Sequence, residues 1–195
     1  PFLEALRPFH RKFMVLDLGC GRGEWLQLLK ELKFEAIGVD LDQEMVNECE
    51  SLGLKVRCEH VLQALKSFRS KSLSLVTGFH IAEHLSFEEL RQVVGEAHRA
   101  LKDGGLLILE TPNPENISVG SINFYLDPTH QKPLPPKLMD FLAEYSGFKR
   151  TKILRMQEPP ALQQPESIPT LQQVLDSVSP DYAVVAQKTS RIEVL

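Results

Sequence analysis

The sequence predicts a single doubly wound α/β domain, and three observations predict it. Short, wholly apolar runs alternate with helical patterns from one end of the chain almost to the other. The runs show no apolar–polar alternation, so they read as strands buried on both faces, which is what a parallel sheet flanked by helices requires. A length of 195 residues fits about one domain, and 43% hydrophobic with 25% charged residues can fill one core.

Each element follows in order. Phe13-Met14-Val15-Leu16 is the first strand, closed by a glycine cluster. Residues 24–32 form a helix with Trp25, Leu28, Leu29 and Leu32 on one face. Residues 35–39 are the second strand, ending at Asp40, and residues 43–52 a second helix stopped by Gly53. Residues 55–58 make a short third strand, 61–68 a helical piece and 74–77 a fourth strand. A long helix over 87–101 is stopped by Gly104-Gly105, and residues 106–110 are a fifth strand, aliphatic until its polar end. Residues 134–145 read as a helix started by Pro135-Pro136 and closed near Gly147. Two more strands follow, 149–156 and 182–187, separated by a proline- and glutamine-rich surface excursion over 157–180 with a helical piece at 171–178. Residues 1–12 are a lead-in, and 1–195 form one domain. A chain opening at Pro1 rather than methionine is expected of a domain excised from a longer one.

Charge and cysteine usage exclude several classes. With 22 Lys and Arg against 26 Asp and Glu the net charge is −4, which argues against nucleic acid as the main partner. No apolar run approaches the roughly 20 residues that span a bilayer, so membrane insertion is not expected. The three cysteines, Cys20, Cys49 and Cys58, match no zinc spacing and suit a reducing compartment. No signal peptide is visible, and the expected location is the cytoplasm.

The first strand runs directly into Asp17-Leu18-Gly19-Cys20-Gly21-Arg22-Gly23, and a helix follows. In an open α/β sheet, ligands sit beyond the carboxyl ends of the strands near the point where strand order reverses. Glycines there let the backbone turn sharply and let a ligand lie against bare main chain. A carboxylate ending the second strand, here Asp40, can accept both hydroxyls of a ribose. Strand, glycine turn, helix, strand and terminal Asp together indicate a nucleoside ligand. The spacing is G-x-G-x-G rather than the dinucleotide G-x-G-x-x-G, which disfavours a nicotinamide-dependent oxidoreductase. The acid beside the loop suits a ligand carrying an ammonium group rather than a pyrophosphate.

Val15-Leu16-Asp17-Leu18-Gly19-Cys20-Gly21-Arg22-Gly23 resembles the first motif of the class I S-adenosylmethionine-dependent methyltransferases. The resemblance implies a Rossmann-like, mostly parallel seven-stranded sheet whose last strand is antiparallel. It implies S-adenosylmethionine as cofactor, with Asp17 near the methionine amino group, Gly19 and Gly21 facing the cofactor and Asp40 on the ribose. It also assigns Leu41, Val61 and Phe79 to the cofactor side. Many members carry an Asp after strand three for the adenine amino group. This chain reads Cys58-Glu59-His60-Val61-Leu62 there, so His60 stands in its place, with Glu59 the other candidate.

Polar residues crowd the far ends of the fourth and fifth strands. Phe79-His80-Ile81-Ala82-Glu83-His84-Leu85 ends the fourth, and on a helical turn His80, Glu83 and His84 share a face. Two readings compete. In one, His80, Glu83 and His130 are catalytic without metal, with His130 or His80 taking a hydroxyl proton as the methyl group arrives. In the other, His80, Glu83, His84 and His130 hold a divalent metal that binds substrate oxygens. That second pattern is similar to the E-x-x-E-H of small-RNA 3′-end methyltransferases and ubiquinone-pathway O-methyltransferases, with His80 replacing the first acid. A purely structural role, Glu83 and His84 orienting the helix, is the third possibility.

Together with Glu110-Thr111-Pro112-Asn113-Pro114-Glu115-Asn116 and Phe124-Tyr125-Leu126-Asp127-Pro128-Thr129-His130, this segment resembles a bacterial group associated with glycosyltransferases of surface-polysaccharide (O-antigen) assembly. That resemblance implies O-methylation of a sugar or sugar-phosphate end in lipopolysaccharide biosynthesis. Asn113, Asn116 and Tyr125 would bind the acceptor, and a fused or neighbouring glycosyltransferase or kinase domain would be the partner, at the inner face of the membrane. A phosphorylated acceptor would draw on Arg22, Lys132 and Lys137. The alternatives are a metal-dependent O-methyltransferase of small molecules or RNA ends, and a non-catalytic methyltransferase-like assembly domain.

Overall fold

The computed structural model describes residues 12–156, 170–171, 175 and 177–189. Seven strands, β1 (Met14–Leu18), β2 (Glu35–Asp40), β3 (Val56–Cys58), β4 (Leu73–Phe79), β5 (Leu101–Pro112), β6 (Arg150–Met156) and β7 (Asp181–Gln187), form one sheet in the order β3-β2-β1-β4-β5-β7-β6. β1 pairs in parallel with β2 and β4, β2 with β3, and β4 with β5, whereas β7 runs antiparallel to β5 and β6. The doubly wound, mostly parallel sheet and its antiparallel last strand are therefore as the sequence predicts. Strand order reverses between β1 and β4, so a crevice opens beyond their carboxyl ends.

Side-chain parity along the strands builds two cores. Leu16 and Leu18 of β1, Val76 of β4 and Leu107 of β5 face one layer, made by α3 (Val61–Ser67), α4 (Phe87–Ala100) and α6 (Pro136–Tyr145). Val15, Leu75, Leu106 and Val185 face the other, against Leu26 and Leu29 of α1 (Glu24–Glu31) and Cys49 of α2 (Gln43–Ser51). Gly38 on β2 is what lets α1 approach. A Cβ there would lie 2.5 Å from Leu26 Cδ1 and 2.7 Å from Cys20 Sγ, too close for any side chain to fit without displacing both.

Two differences from the sequence reading have local causes, and the long helix starts where expected. β5 starts at Leu101, which pairs with Leu73, before Leu106 pairs with Leu75; the intervening Lys102-Asp103-Gly104-Gly105 bulges out of register, and its glycines read in sequence as a loop. α4 is fixed at its start by a capping box, Ser86 Oγ accepting from the Glu89 amide and Glu89 Oε2 from the Ser86 amide. A short α5 (Ile117–Ser121) and a 3-10 segment, Asn123–Leu126, follow β5 where no helical period announced them. The lead-in 1–11 lies outside the described residues, as do 157–169 of the excursion and half of its helical piece 171–178.

Candidate active site

The first half of the site is the glycine loop between β1 and α1. Gly19, Gly21 and Gly23 have φ of 67°, 51° and 82°, a left-handed course that glycine adopts without strain. A Cβ at Gly19 would meet Ile81 Cδ1 at 3.0 Å and one at Gly23 would meet Leu54 Cδ1 at 2.6 Å, whereas one at Gly21 would meet nothing within 4 Å. The loop thus packs down at its ends and is open at Gly21. The Gly19 and Cys20 amides donate to Val39 O at 2.9 and 3.0 Å, tying the loop to β2.

Asp40 ends β2 half-buried. Its carboxylate accepts from the Gly21 amide at 2.9 Å through Oδ2 and from the Asp42 amide at 2.9 Å through Oδ1. Each oxygen keeps a further lone pair, so the carboxylate both shapes the loop and remains an acceptor at the crevice. Leu41 beside it is 67% exposed. Asp17, by contrast, is 2% exposed, and Thr77 Oγ1 donates to its Oδ1 at 2.7 Å. Burial raises its carboxyl from the ordinary 3.8 to about 7; the Thr77 hydrogen bond opposes this and the charge of Asp40 adds to it. Phe79 lies edge-on to Trp25 with ring centroids 5.6 Å apart.

His60 has a different job from the one the sequence suggested. It is the N-cap of α3, its Nδ1 accepting from the Leu62 amide at 3.3 Å. The neutral ring then carries its proton on Nε2, which lies 3.8 Å from Glu89 Oε1. No lone pair is left for an adenine amino group. Val61, the first residue of that helix, is 5% exposed in the core. Glu59 pairs with Arg57 at 3.2 Å.

The second half lies beyond the ends of β4 and β5. His80 has a φ of 53°, rare for a side-chain-bearing residue, and its amide donates to Glu110 O at 3.0 Å. The ring sits among three carboxylates, with Nδ1 3.2 Å from Glu83 Oε1, and Nε2 3.5 Å from Glu110 Oε1 and 3.9 Å from Asp181 Oδ1. Hydrogen bonds to Glu110 and then Glu83 push its pKa up to about 10 against partial burial. His80 is therefore an imidazolium at neutral pH, which corrects its expected role as a general base. It acts as counter-charge to a buried acid.

That acid is Glu83, 1% exposed within the 3-10 turn Ala82–His84. Thr111 Oγ1 donates to its Oε2 at 2.9 Å, and the Gln131 amide donates to its carbonyl at 2.8 Å. The second contact draws the loop carrying His130 onto the turn. His84 and His130 then lie edge to face, ring centroids 4.8 Å apart. Of the four possible metal ligands, the structure brings Glu83, His84 and His130 together and leaves His80 outside, paired to Glu110 and Asp181.

Asn113 and Asn116 are corrected from acceptor ligands to latches. Asn113 is fully buried, with Nδ2 donating to Ser179 O at 2.9 Å and Oδ1 accepting from the Glu115 amide. Asn116 donates to Val178 O at 2.7 Å and caps α5 through the Val119 amide. They fasten the segment before β7 to the loop after β5. The exposed surface here belongs instead to Ile122, Tyr125 and Leu126, which are 62%, 63% and 75% exposed. Lys132 spends its charge over the Phe87 ring at 4.7 Å, and Arg22 lies 3.9 Å from Glu48. Sequence reasoning missed Thr77, Thr111, Thr129, Glu110 and Asp181; only the polar end of the fifth strand hinted at any of them.

Known proteins share this architecture. The profile of a methyltransferase domain family matches residues 15–105. The solved structure of a SAM-dependent methyltransferase from Archaeoglobus fulgidus is 34% identical, superposes with a TM-score of 0.81, and covers 95% of this chain and 91% of its own. A probable S-adenosylmethionine-dependent methyltransferase of Mycolicibacterium smegmatis is 30% identical over 135 residues, 69% of this chain and 51% of the relative. A ubiquinone biosynthesis O-methyltransferase of Methylococcus capsulatus is 25% identical over 126 residues, 57% of this chain and 52% of the relative. The chain spans about half the length of these two curated relatives.

Proposed function

The chain belongs to the class I S-adenosylmethionine-dependent methyltransferases, and from that premise we propose that it is an O-methyltransferase acting on a hydroxyl of a sugar end. The crevice fits the cofactor by its own chemistry. Among the described residues, buried Asp17 has a threonine hydroxyl but no cation paired with it, and an ammonium group would supply that charge. The face at Gly21 is open to a ligand, and Asp40 keeps acceptor capacity for ribose hydroxyls. The cofactor supplies an activated methyl group: the new oxygen–carbon bond forms as the carbon–sulfur bond breaks, and that bond's electron pair stays on sulfur.

Little is then asked of the protein beyond placing the acceptor oxygen and removing its proton. The observation that carries the O-methylation reading is a pair of histidines whose Nδ1 atoms are both taken up by oxygens. His130 Nδ1–H donates to Phe124 O at 2.7 Å, which leaves Nε2 as the ring nitrogen that can accept. Thr129 Oγ1–H donates to Asp127 at 2.6 Å and accepts from His84 Nδ1–H at 2.8 Å, which leaves Nε2 of His84 in the same position. Tyr125 presents a flat ring at the lip, suited to packing against a sugar face. The reading includes surface-polysaccharide ends as acceptors, a glycosyltransferase or kinase domain as partner, and a place at the inner face of the membrane. No helix among the described residues is long and apolar enough to cross that membrane. The ubiquinone-pathway relative supports a second acceptor class, the hydroxyl of a small molecule.

The test is an assay with methyl-labelled S-adenosylmethionine, sugar and glycan fragments, and small phenols in parallel. Label that appears in an alkali-stable methyl ether of a sugar supports the proposal. Label in phenols alone selects the second class, and label on amines alone overturns O-methylation.

Asp17 gives cofactor binding a pH signature. An ammonium ligand prefers the carboxylate, so binding below about pH 7 must expel the proton that burial retains. Calorimetric affinity is expected to fall by nearly tenfold per unit as pH drops below about 6 and to be greatest between about 7 and 8, above which the ligand's own ammonium group begins to lose its proton. Affinity that stays flat across that range would refute the pairing of Asp17 with a cation.

A further inference from the structure

Glu83, His84 and His130 each place one possible ligand atom within 4.8 Å of the other two. Proximity alone is common, and the hydrogen bonds behind these side chains say more. Histidines that bind metal donate their other ring N–H to a carbonyl, carboxylate or similar acceptor, which fixes the tautomer and orients the lone pair. Both histidines do so here, His130 to Phe124 O and His84 to Thr129 Oγ1, which is itself bound to Asp127. Ligating carboxylates are hydrogen-bonded in turn, and Glu83 is held by Thr111 at 2.9 Å and His80 at 3.2 Å. The two segments that supply the set are clamped by the Gln131 amide on Glu83 O. The surroundings thus hold these donors in place before any ion arrives.

We propose that Glu83, His84 and His130 bind one first-row divalent cation, Zn2+ foremost, with a coordination position left for the acceptor oxygen. Two imidazoles and one carboxylate suit Zn2+, Fe2+ or Mn2+ better than Ca2+ or Mg2+. Three protein ligands rather than four are the mark of a catalytic site over a closed structural one. Closing on an ion with bonds of about 2.0–2.2 Å draws the ligand atoms together by about 1 Å, within reach of small side-chain rotations. The role of the ion rests on the O-methylation reading. A hydroxyl bound through its oxygen gives its proton to water at a lower pH than when free, and keeps the electron pair that forms the bond to carbon.

The experiment separates the site from the reaction. Purified protein equilibrated with Zn2+ and freed of excess is expected to retain about one equivalent by elemental analysis. His84→Gln and His130→Gln should each retain less than about a tenth of that, with melting temperature and S-adenosylmethionine affinity showing that they remain folded. Co2+ in place of Zn2+ should give visible absorption bands that both variants lack. Wild-type protein without stoichiometric metal, or variants with undiminished content, would overturn the site. A loaded protein that methylates no hydroxyl would keep the site and overturn the O-methylation reading. Full turnover of a hydroxyl acceptor in metal-free protein would keep that reading and overturn the role of the ion.

Discussion

Replacing His130 by alanine is expected to lower turnover by about 10²–10⁴-fold, a loss of the size that help with deprotonating a hydroxyl supplies, here given through the cation that its Nε2 holds, while cofactor affinity stays within about twofold. The ring is 13% exposed and packs against Phe124 at 4.5 Å and His84 at 4.8 Å, on a loop that carries none of the cofactor residues. Its loss removes the Nε2 lone pair and leaves the Phe124 carbonyl to find another donor. The damage therefore falls on the acceptor side, in kcat rather than in cofactor binding. His130→Gln keeps most of the volume without an imidazole lone pair and separates chemistry from packing. Turnover equal to wild type in both variants would remove His130 from the reaction. Equal turnover in glutamine but not alanine would make it a packing residue.

The sheet was legible because its central strands carry apolar runs bounded by polar or turn residues, a signal local to each segment. The grouping of Asp17, Gly19, Gly21 and Asp40 at the crevice was legible for the same reason: they end adjacent strands or follow them, so chain order alone places them together. The acceptor half depends on pairings that no local pattern carries. Asp181 reaches His80 only because β7 runs antiparallel to β5, setting it opposite Pro112. Asn113 and Asn116 looked like ligands because they are polar and follow a strand. They are latches because Val178 and Ser179, far along the chain, return to meet them. His60 is an instructive case, since a polar residue directly before a helical apolar run is also an N-cap signal. The family position drew the eye to adenine instead.

His80 shows how one misplaced charge changes a mechanism. In sequence it was one more histidine of ordinary pKa and a natural base. The register of β4 against β5 puts Phe79 opposite Glu110, so His80 follows directly into the carboxylates that keep it protonated. The strained φ at His80, of the kind that costs on the order of 1–3 kcal/mol, is the turn that delivers its ring there. His84 and His130 are oriented instead by acceptors from the 124–129 segment, which take each Nδ1–H and leave Nε2 facing the other way. Charge on one side of Glu83 and lone pairs on the other give this site its polarity.

Replacing Asp40 by alanine is expected to weaken S-adenosylmethionine binding by about 100-fold or more while the domain still folds. Hydrogen bonds to a charged acceptor contribute about 1.5–3 kcal/mol each, and about 1.4 kcal/mol is tenfold in affinity. Losing two ribose contacts therefore suffices, and the structure adds a second loss. The same carboxylate holds the Gly21 amide, so the variant also releases the open part of the glycine loop. The fold should survive because Asp40 is only half-buried at the rim, where water can satisfy the freed Gly21 and Asp42 amides. Asp42→Ala is the matched control. Its side chain caps α2 through the Glu44 amide at 2.8 Å, so its loss is expected to cost about 1 kcal/mol of stability with affinity unchanged. The two variants should thus move opposite observables: affinity for Asp40, melting temperature for Asp42. Unchanged affinity in Asp40→Ala would remove the carboxylate from the cofactor site, and an equal loss in both would place the effect in the helix rather than in a ribose contact.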